Sequence, residues 1–382
     1  MRPTTTICCS ALALIALAAT PSRDSGPPAF VPTRLVWTLA LNSQLSVPPA
    51  YDETRVFFSL EHDRLVAYDI VPGKQLWLVE SRPILQPAAG GDLVYIAEAA
   101  RLVALNARDG TPVWELPTPE PLALPPVWDN GWIIAISGRG TVRALRATDG
   151  HVVWTRDLGV APHARPALAA DRLYIPAADG RIFALQITDG SPVWERKIGG
   201  QPNDILALDE RLYAGSTDDY FYCLLTKNGR IDWRWRTGAD VIGAPVSDGR
   251  HVYFVSLDNL LRSMNAVSGG QQWLRALPLR PTAGPQLAGS TLVVVGQSAV
   301  IRTYASKEGA AAPDLSAGDE IAAPPHVLHD AARGLPMVLF VTKHISKGAA
   351  AALHIRSIDP AATNAIVPLP NPVMPAPMPA TR

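Results

Sequence analysis

Residues 184–194 read ALQITDGSPVW, and the phrase returns along the chain. Residues 67–77 are AYDIVPGKQLW, 104–114 are ALNARDGTPVW and 144–154 are ALRATDGHVVW. Each copy closes on tryptophan, four residues after a glycine. Trp77, Trp114, Trp154, Trp194, Trp233 and Trp273 lie 37 to 40 residues apart and follow Gly73, Gly110, Gly150, Gly190, Gly229 and Gly269. A further copy keeps Gly309 but has Pro313 in place of tryptophan, and Trp37 holds the register 40 residues before Trp77. Twelve residues after the tryptophan positions runs a second column: Pro49, Pro126, Pro166, Pro245, Pro285 and Pro325. Two columns in one phase mark a repeat architecture.

Within one unit the pattern is that of short strands. Around Pro166 the segments ARPALAA, RLYIPAA, RIFALQI and SPVWERKI are separated by Asp171, Asp179-Gly180 and Thr188-Asp189-Gly190. Period-two alternation with β-branched and aromatic residues favours strand over helix, and Asp-Gly suits tight hairpins because glycine accepts positive φ. Four strands per 40 residues describe a blade of a β-propeller. The tryptophans and glycines are then expected to dock blade against blade, each indole wedged between neighbours. Seven glycine columns give seven units. After Pro325 come the apolar segments MVLFVT and AALHIRS with no outer tryptophan strand, whereas RLVWTLAL around Trp37 is an outer strand with no blade of its own. The sequence therefore predicts an all-β, eight-bladed propeller over residues 33–360, the N-terminal strand completing the last blade. Such closure removes the exposed sheet edge.

The bulk numbers narrow the function. Among 382 residues Lys+Arg and Asp+Glu are both 34, so no net field favours nucleic acid. Residues 1–19 have the form of a secretory signal peptide: Arg2, an apolar run from Ile7 to Ala19, and small residues at Ala16 and Ala18. That run is short for a membrane span, which needs about 20 residues, so no transmembrane span is expected in the mature chain. Cys8 and Cys9 leave with the signal, and Cys223 alone excludes a disulfide framework. Residues 20–32 are expected to be a linker. Residues 361–382 are Pro-rich and are expected to be a disordered, polyproline-like tail. The ring is expected to be monomeric, secreted and periplasmic.

The pattern A-x-D-x-x-x-G-K-x-x-W is complete at Ala67, Asp69, Gly73, Lys74 and Trp77. It resembles the tryptophan-docking repeat of PQQ-like propeller proteins, a superfamily that holds quinoprotein alcohol dehydrogenases and also cofactor-free scaffolds. In the other copies the aspartate position becomes Asn106, Arg146, Gln186, Leu225, Asn265 and Ala305, so the polar atom is not kept while the Gly/Trp pair is. A packing motif behaves in this way. The dehydrogenases carry a vicinal cysteine pair over the cofactor and a Glu/Asn/Asp calcium site, whereas the adjacent cysteines here are Cys8-Cys9. In length, export and blade count the chain resembles BamB-type proteins, periplasmic scaffolds of outer-membrane β-barrel assembly. IGGQPNDILALDERLYAGSTDD, residues 198–219, resembles the corresponding BamB blade. Two departures are the absence of a lipobox before Cys8 and PTPEPLALPP at 117–126, where that family has a Leu/Arg-rich loop. The resemblance implies a non-catalytic scaffold with a protein partner and no cofactor. The alternatives are a PQQ-dependent dehydrogenase and a small-molecule or glycan binder in the funnel.

Catalytic and metal motifs are weak. GQSAV at 296–300 lacks the second glycine of a nucleophile elbow. SGRGTVR at 137–143 has Arg143 where a phosphate loop needs glycine and reads as a hairpin. His326 and His329 in PPHVLHD face opposite sides of a strand and are expected on the rim. Arg234 and Arg236 in DWRWRTG alternate away from Trp233 onto a solvated edge. Most outer-to-inner connections are bland, but His163, Arg165, Asn203 and Asp204 place opposite charges on adjacent blades. These four are the candidate partner- or ligand-binding rim, with an Arg165–Asp204 salt bridge as the plain alternative.

Overall fold

A computed structural model describes residues 27, 29–41, 43–71, 73–329, 334–344 and 350–358. The expected signal peptide, most of the linker and the Pro-rich tail lie outside them. The described chain forms eight four-stranded antiparallel sheets. Blades 1 to 7 are continuous in sequence, at residues 45–80, 88–117, 127–157, 167–197, 202–236, 241–276 and 286–316. In each, the strands run outward in chain order. Successive side chains point to opposite faces, and middle strands such as Leu93–Ala97 are apolar and buried at every position, so every sheet needs a cover on each side. The ring supplies it.

Blade 8 closes the circle as expected. Its strands Ile321–His329, Pro336–His344 and Ala350–Ser357 are completed by Arg34–Ala40, and Trp37 pairs with Ile355. The core between blades 8 and 1 contains Trp37, Leu39, Met337, Leu339, Leu353 and Ile355 against Val56, Phe58 and Tyr68. Hairpin chemistry sets the register. At the tip of the first hairpin of blade 3, Asn130 and Gly131 have φ of 41° and 83°, the double positive φ of a type I′ turn.

The repeated phrase is consumed by the seams. Trp77 donates its indole N–H to Ala107 O at 3.0 Å in the next blade, and Trp154 does the same to Ile187 O at 2.6 Å. Trp114, Trp194, Trp233 and Trp273 make the equivalent bond to Ala147, Thr226, Ala266 and Ser306. The glycine three residues beyond each acceptor lies flat under the indole. A Cβ on Gly190 would stand 2.6 Å from the Trp154 ring and one on Gly229 2.5 Å from Trp194, at φ of 70° and 66°. Gly110, Gly150, Gly269 and Gly309 repeat the arrangement under Trp77, Trp114, Trp233 and Trp273. At Gly73 the clearance from Trp37 is looser, 3.2 Å, and the Trp37 indole nitrogen has no hydrogen-bond partner among the described residues. Opposite the tryptophans stand Ala67, Ala104, Ala144, Ala184, Cys223 and Ser263, small residues that leave room for the ring. The Asp-Gly aspartates bond their own turn: Asp189 Oδ1 accepts the Ser191 N–H at 2.8 Å.

One seam lacks a repeat tryptophan. Blade 7 has Val293 and Pro313 where blade 6 has Tyr253 and Trp273. Phe30, wholly buried, enters this core beside Val293, Leu315, Val338 and Phe340. Its N–H donates to Thr291 Oγ1 at 2.9 Å, and Ala29 bridges Gly289. The expected linker, residues 20–32, includes both residues; the structure packs them, because the proline and valine leave a gap that an aromatic side chain fills.

Candidate functional site

The inner strands surround the ring axis, and those of blades 1, 5, 6 and 8 are the longest, at 7, 7, 7 and 9 residues. Each of these four has a register shift against its neighbour. Such irregularities re-aim side chains, and here they fall beside a cavity of about 480 Å³. Its wall combines Pro48, Pro49, Pro324 and Pro325 with the polar side chains of Tyr51, Gln86, Arg165, Asp204 and His326.

Arg165 and Asp204 therefore meet at the funnel, but not as a salt bridge. The Arg165 backbone N–H donates to Asp204 Oδ1 at 3.0 Å, while its guanidinium donates to Gln86 Oε1. Gln86 in turn donates its amide N–H to Pro49 O at 2.7 Å. Polar links thus join the approaches to blades 2 and 4 with the inner strands of blades 1 and 5. His163 and Asn203 are not in the cavity wall. The His163 backbone N–H is spent on Pro176 O at 2.9 Å, and the Asn203 amide donates to Val241 O.

Sequence reasoning missed Tyr51 and expected His326 on the rim rather than in this wall. Their rings stack with centroids 4.4 Å apart and planes 4° from parallel, across the seam between blades 1 and 8. His326 is thus a half-buried wall residue rather than a rim residue, while His329 is exposed. Burial pushes the His326 imidazole down to about 4 and the Tyr51 phenol well above its ordinary range. The signal available in sequence was the length of the two inner segments, but nothing there shows that they face each other.

A pH dependence follows with a definite sign. An unfolded histidine takes up a proton near 6.5, whereas folded His326 stays neutral until about 4. Between those values the unfolded state binds a proton that the folded state refuses, so stability falls as pH drops. Relative to His326→Phe, which keeps a stacking ring, the wild type should lose on the order of 2–3 kcal/mol across this window. Chemical denaturation of both proteins at pH 7 and pH 4 measures it; equal losses would refute the assignment.

Among the described residues no group of three or more His, Cys, Asp or Glu is placed to hold a metal ion. Cys223, the free cysteine described, is buried between blades 5 and 6. The vicinal pair and acidic calcium cluster that the quinoprotein resemblance implies do not fit these residues, and one Arg165 is a sparse cationic complement for a polyanionic quinone.

A family model described as outer membrane protein assembly factor BamB matches residues 79–208 and 205–323. The chain belongs to that family. BamB of Nitrosomonas eutropha is 28% identical over 92 residues, 24% of this chain and 22% of that protein. The match thus spans about a fifth of this relative's own length, 22%. Among solved structures, BamB from Moraxella catarrhalis is similar with a TM-score of 0.67 at 19% identity, covering 85% of this chain and 97% of that one. A quinohemoprotein alcohol dehydrogenase, ADHIIG of Pseudomonas putida HK5, gives 0.66 at 13% identity, covering 90% and 78%. The computationally designed Ika8 protein gives 0.68 at 11%, covering 85% and 100%. At such identities these structures share the fold alone, so it is the family match that separates BamB from the other rings.

Proposed function

We propose that this BamB-family ring is an exported, non-catalytic scaffold that binds protein partners during outer-membrane protein assembly in the periplasm. The observation that carries the reading is the family match across residues 79–323 on a ring whose repeated motif is spent on its own seams. Strands fixed by packing leave recognition to the connections between them. The partner surface is assigned to the face bearing the outer-to-inner connections, including residues 117–126 and the rim at His163 and Asn203. No helix among the described residues is long and apolar enough to cross a membrane.

Gentle cross-linking of envelope extracts followed by purification of this chain should recover an outer-membrane assembly component at near-stoichiometric yield. A chain that stays solitary overturns the scaffold reading. The dehydrogenase alternative has its own test: adding PQQ and Ca²⁺ to folded protein and following dye reduction with alcohols or sugars. Turnover there would replace the scaffold with an enzyme.

A further inference from the structure

We propose that the axial cavity is a binding site for a small hydroxylated monocarboxylate of the sugar-acid class. The cavity is of ligand size, since small-molecule sites run from roughly 300 to 1,000 Å³ and this one is about 480 Å³. It is also built rather than incidental, because three of its polar residues are linked in a chain: Asp204 accepts the Arg165 backbone N–H, the Arg165 guanidinium donates to Gln86, and Gln86 donates to Pro49 O.

Arg165 sets the charge of the ligand. Its side chain is exposed to the cavity, and its guanidinium meets only the neutral amide oxygen of Gln86. No carboxylate among the described residues pairs with it, because Asp204 accepts the Arg165 backbone N–H instead. A guanidinium has five N–H donors in a fork that matches a carboxylate, so most of its capacity is unspent. Gln86 is anchored at its other end by Pro49 O at 2.7 Å, which fixes where the fork stands before any ligand arrives.

A stacked pair completes this part of the wall. Tyr51 lines the cavity, but its hydroxyl is buried out of contact with that open space. His326, stacked on Tyr51 at 4.4 Å, makes no hydrogen bond with the described chain, so its neutral ring can also meet a ligand oxygen or hydroxyl.

Asp204 decides between one carboxylate and several. One of its oxygens holds Arg165, leaving the other to accept. That oxygen attracts a hydroxyl and repels a second anion. A carboxylate for Arg165 and hydroxyls for Asp204 and His326 describe a uronic or aldonic acid. A polycarboxylate quinone would face the same repulsion.

Isothermal titration of the purified chain with glucuronate, galacturonate and gluconate is the direct test, with glucose and acetate as probes lacking the carboxylate or the hydroxyls. At least one sugar acid should bind at one per chain, at least tenfold more tightly than glucose or acetate. Arg165→Ala should weaken it by about tenfold or more, as expected for a charge-assisted hydrogen bond. His326→Phe keeps a stacking ring and removes the ring nitrogens, and should cost roughly fivefold. Arg165 is exposed, so the melting temperature of its unliganded variant reports that the ring is intact. No heat with any sugar acid, equal affinity for glucose, or unchanged binding in Arg165→Ala would overturn the site. So would PQQ with Ca²⁺ displacing the sugar acid at lower concentration. Because no partner protein is present, failure here leaves the scaffold reading standing, and success does not depend on it.

Discussion

Deletion of residues 27–41 is expected to abolish the closed ring and leave a self-associating product. The deletion strips the edge from Ala350–Ser357, exposing unpaired N–H and C=O groups that recruit another chain. It also removes Trp37, Leu39 and Leu41 from the core between blades 8 and 1, and Phe30 from the core between blades 7 and 8. Removing a large buried aromatic alone costs about 3–5 kcal/mol, and a domain has only about 5–15 kcal/mol in total. Light scattering should show dimers or larger species, and thermal melting should lose its cooperative transition. Supplying residues 27–41 as a separate peptide should return the monomer. A monomer with an unchanged melting temperature after the deletion would contradict the closure described above.

Trp154→Ala should destabilise the ring by about 3–5 kcal/mol, read from the midpoint of urea unfolding. Trp154 is 8% exposed and joins Ile134, Ile136 and Val142 of its own blade to Leu173, Ile175 and Phe183 of the next. Its loss leaves a cavity over Gly190 and strips Ile187 O of its 2.6 Å donor. Gly190→Ala approaches the same seam from the other side. Its Cβ would lie 2.6 Å from the ring, in a backbone conformation that side chains resist, so it should also destabilise. A cost below about 0.5 kcal/mol for Trp154→Ala would place the seam energy elsewhere, since that is the range of ordinary surface changes.

Much of the ring was legible because its signal is periodic. The indole of Trp194 and the glycine at 229 recur at one spacing since one blade must present what the next receives, and geometry copies that demand around the circle. Closure through Trp37 was readable for the same reason: a lone outer strand and a blade without one are complementary. Phe30 was not, because a single residue in a proline-rich stretch has no period, and its role exists only where Val293 and Pro313 leave space. At the funnel, the approach of Arg165 to Asp204 followed from the blade repeat, but the direction of the guanidinium did not. Gln86, which receives it, stands 79 residues earlier in the chain. The Tyr51–His326 stack depends in the same way on two blades that touch only after the circle is complete.

The joint made by Arg34–Ala40 also dictates an order of events. In blade 4, Arg181 reaches Glu195 over 14 residues, whereas Thr38 meets His354 over 316. Joining ends so far apart costs about 3 kcal/mol more in chain entropy than a hairpin of the first kind. The first strand of the ring to be synthesised must therefore be among the last to find its place, idle until the final sector has emerged. A ribosome that releases the chain slowly prolongs the interval in which that strand has no mate.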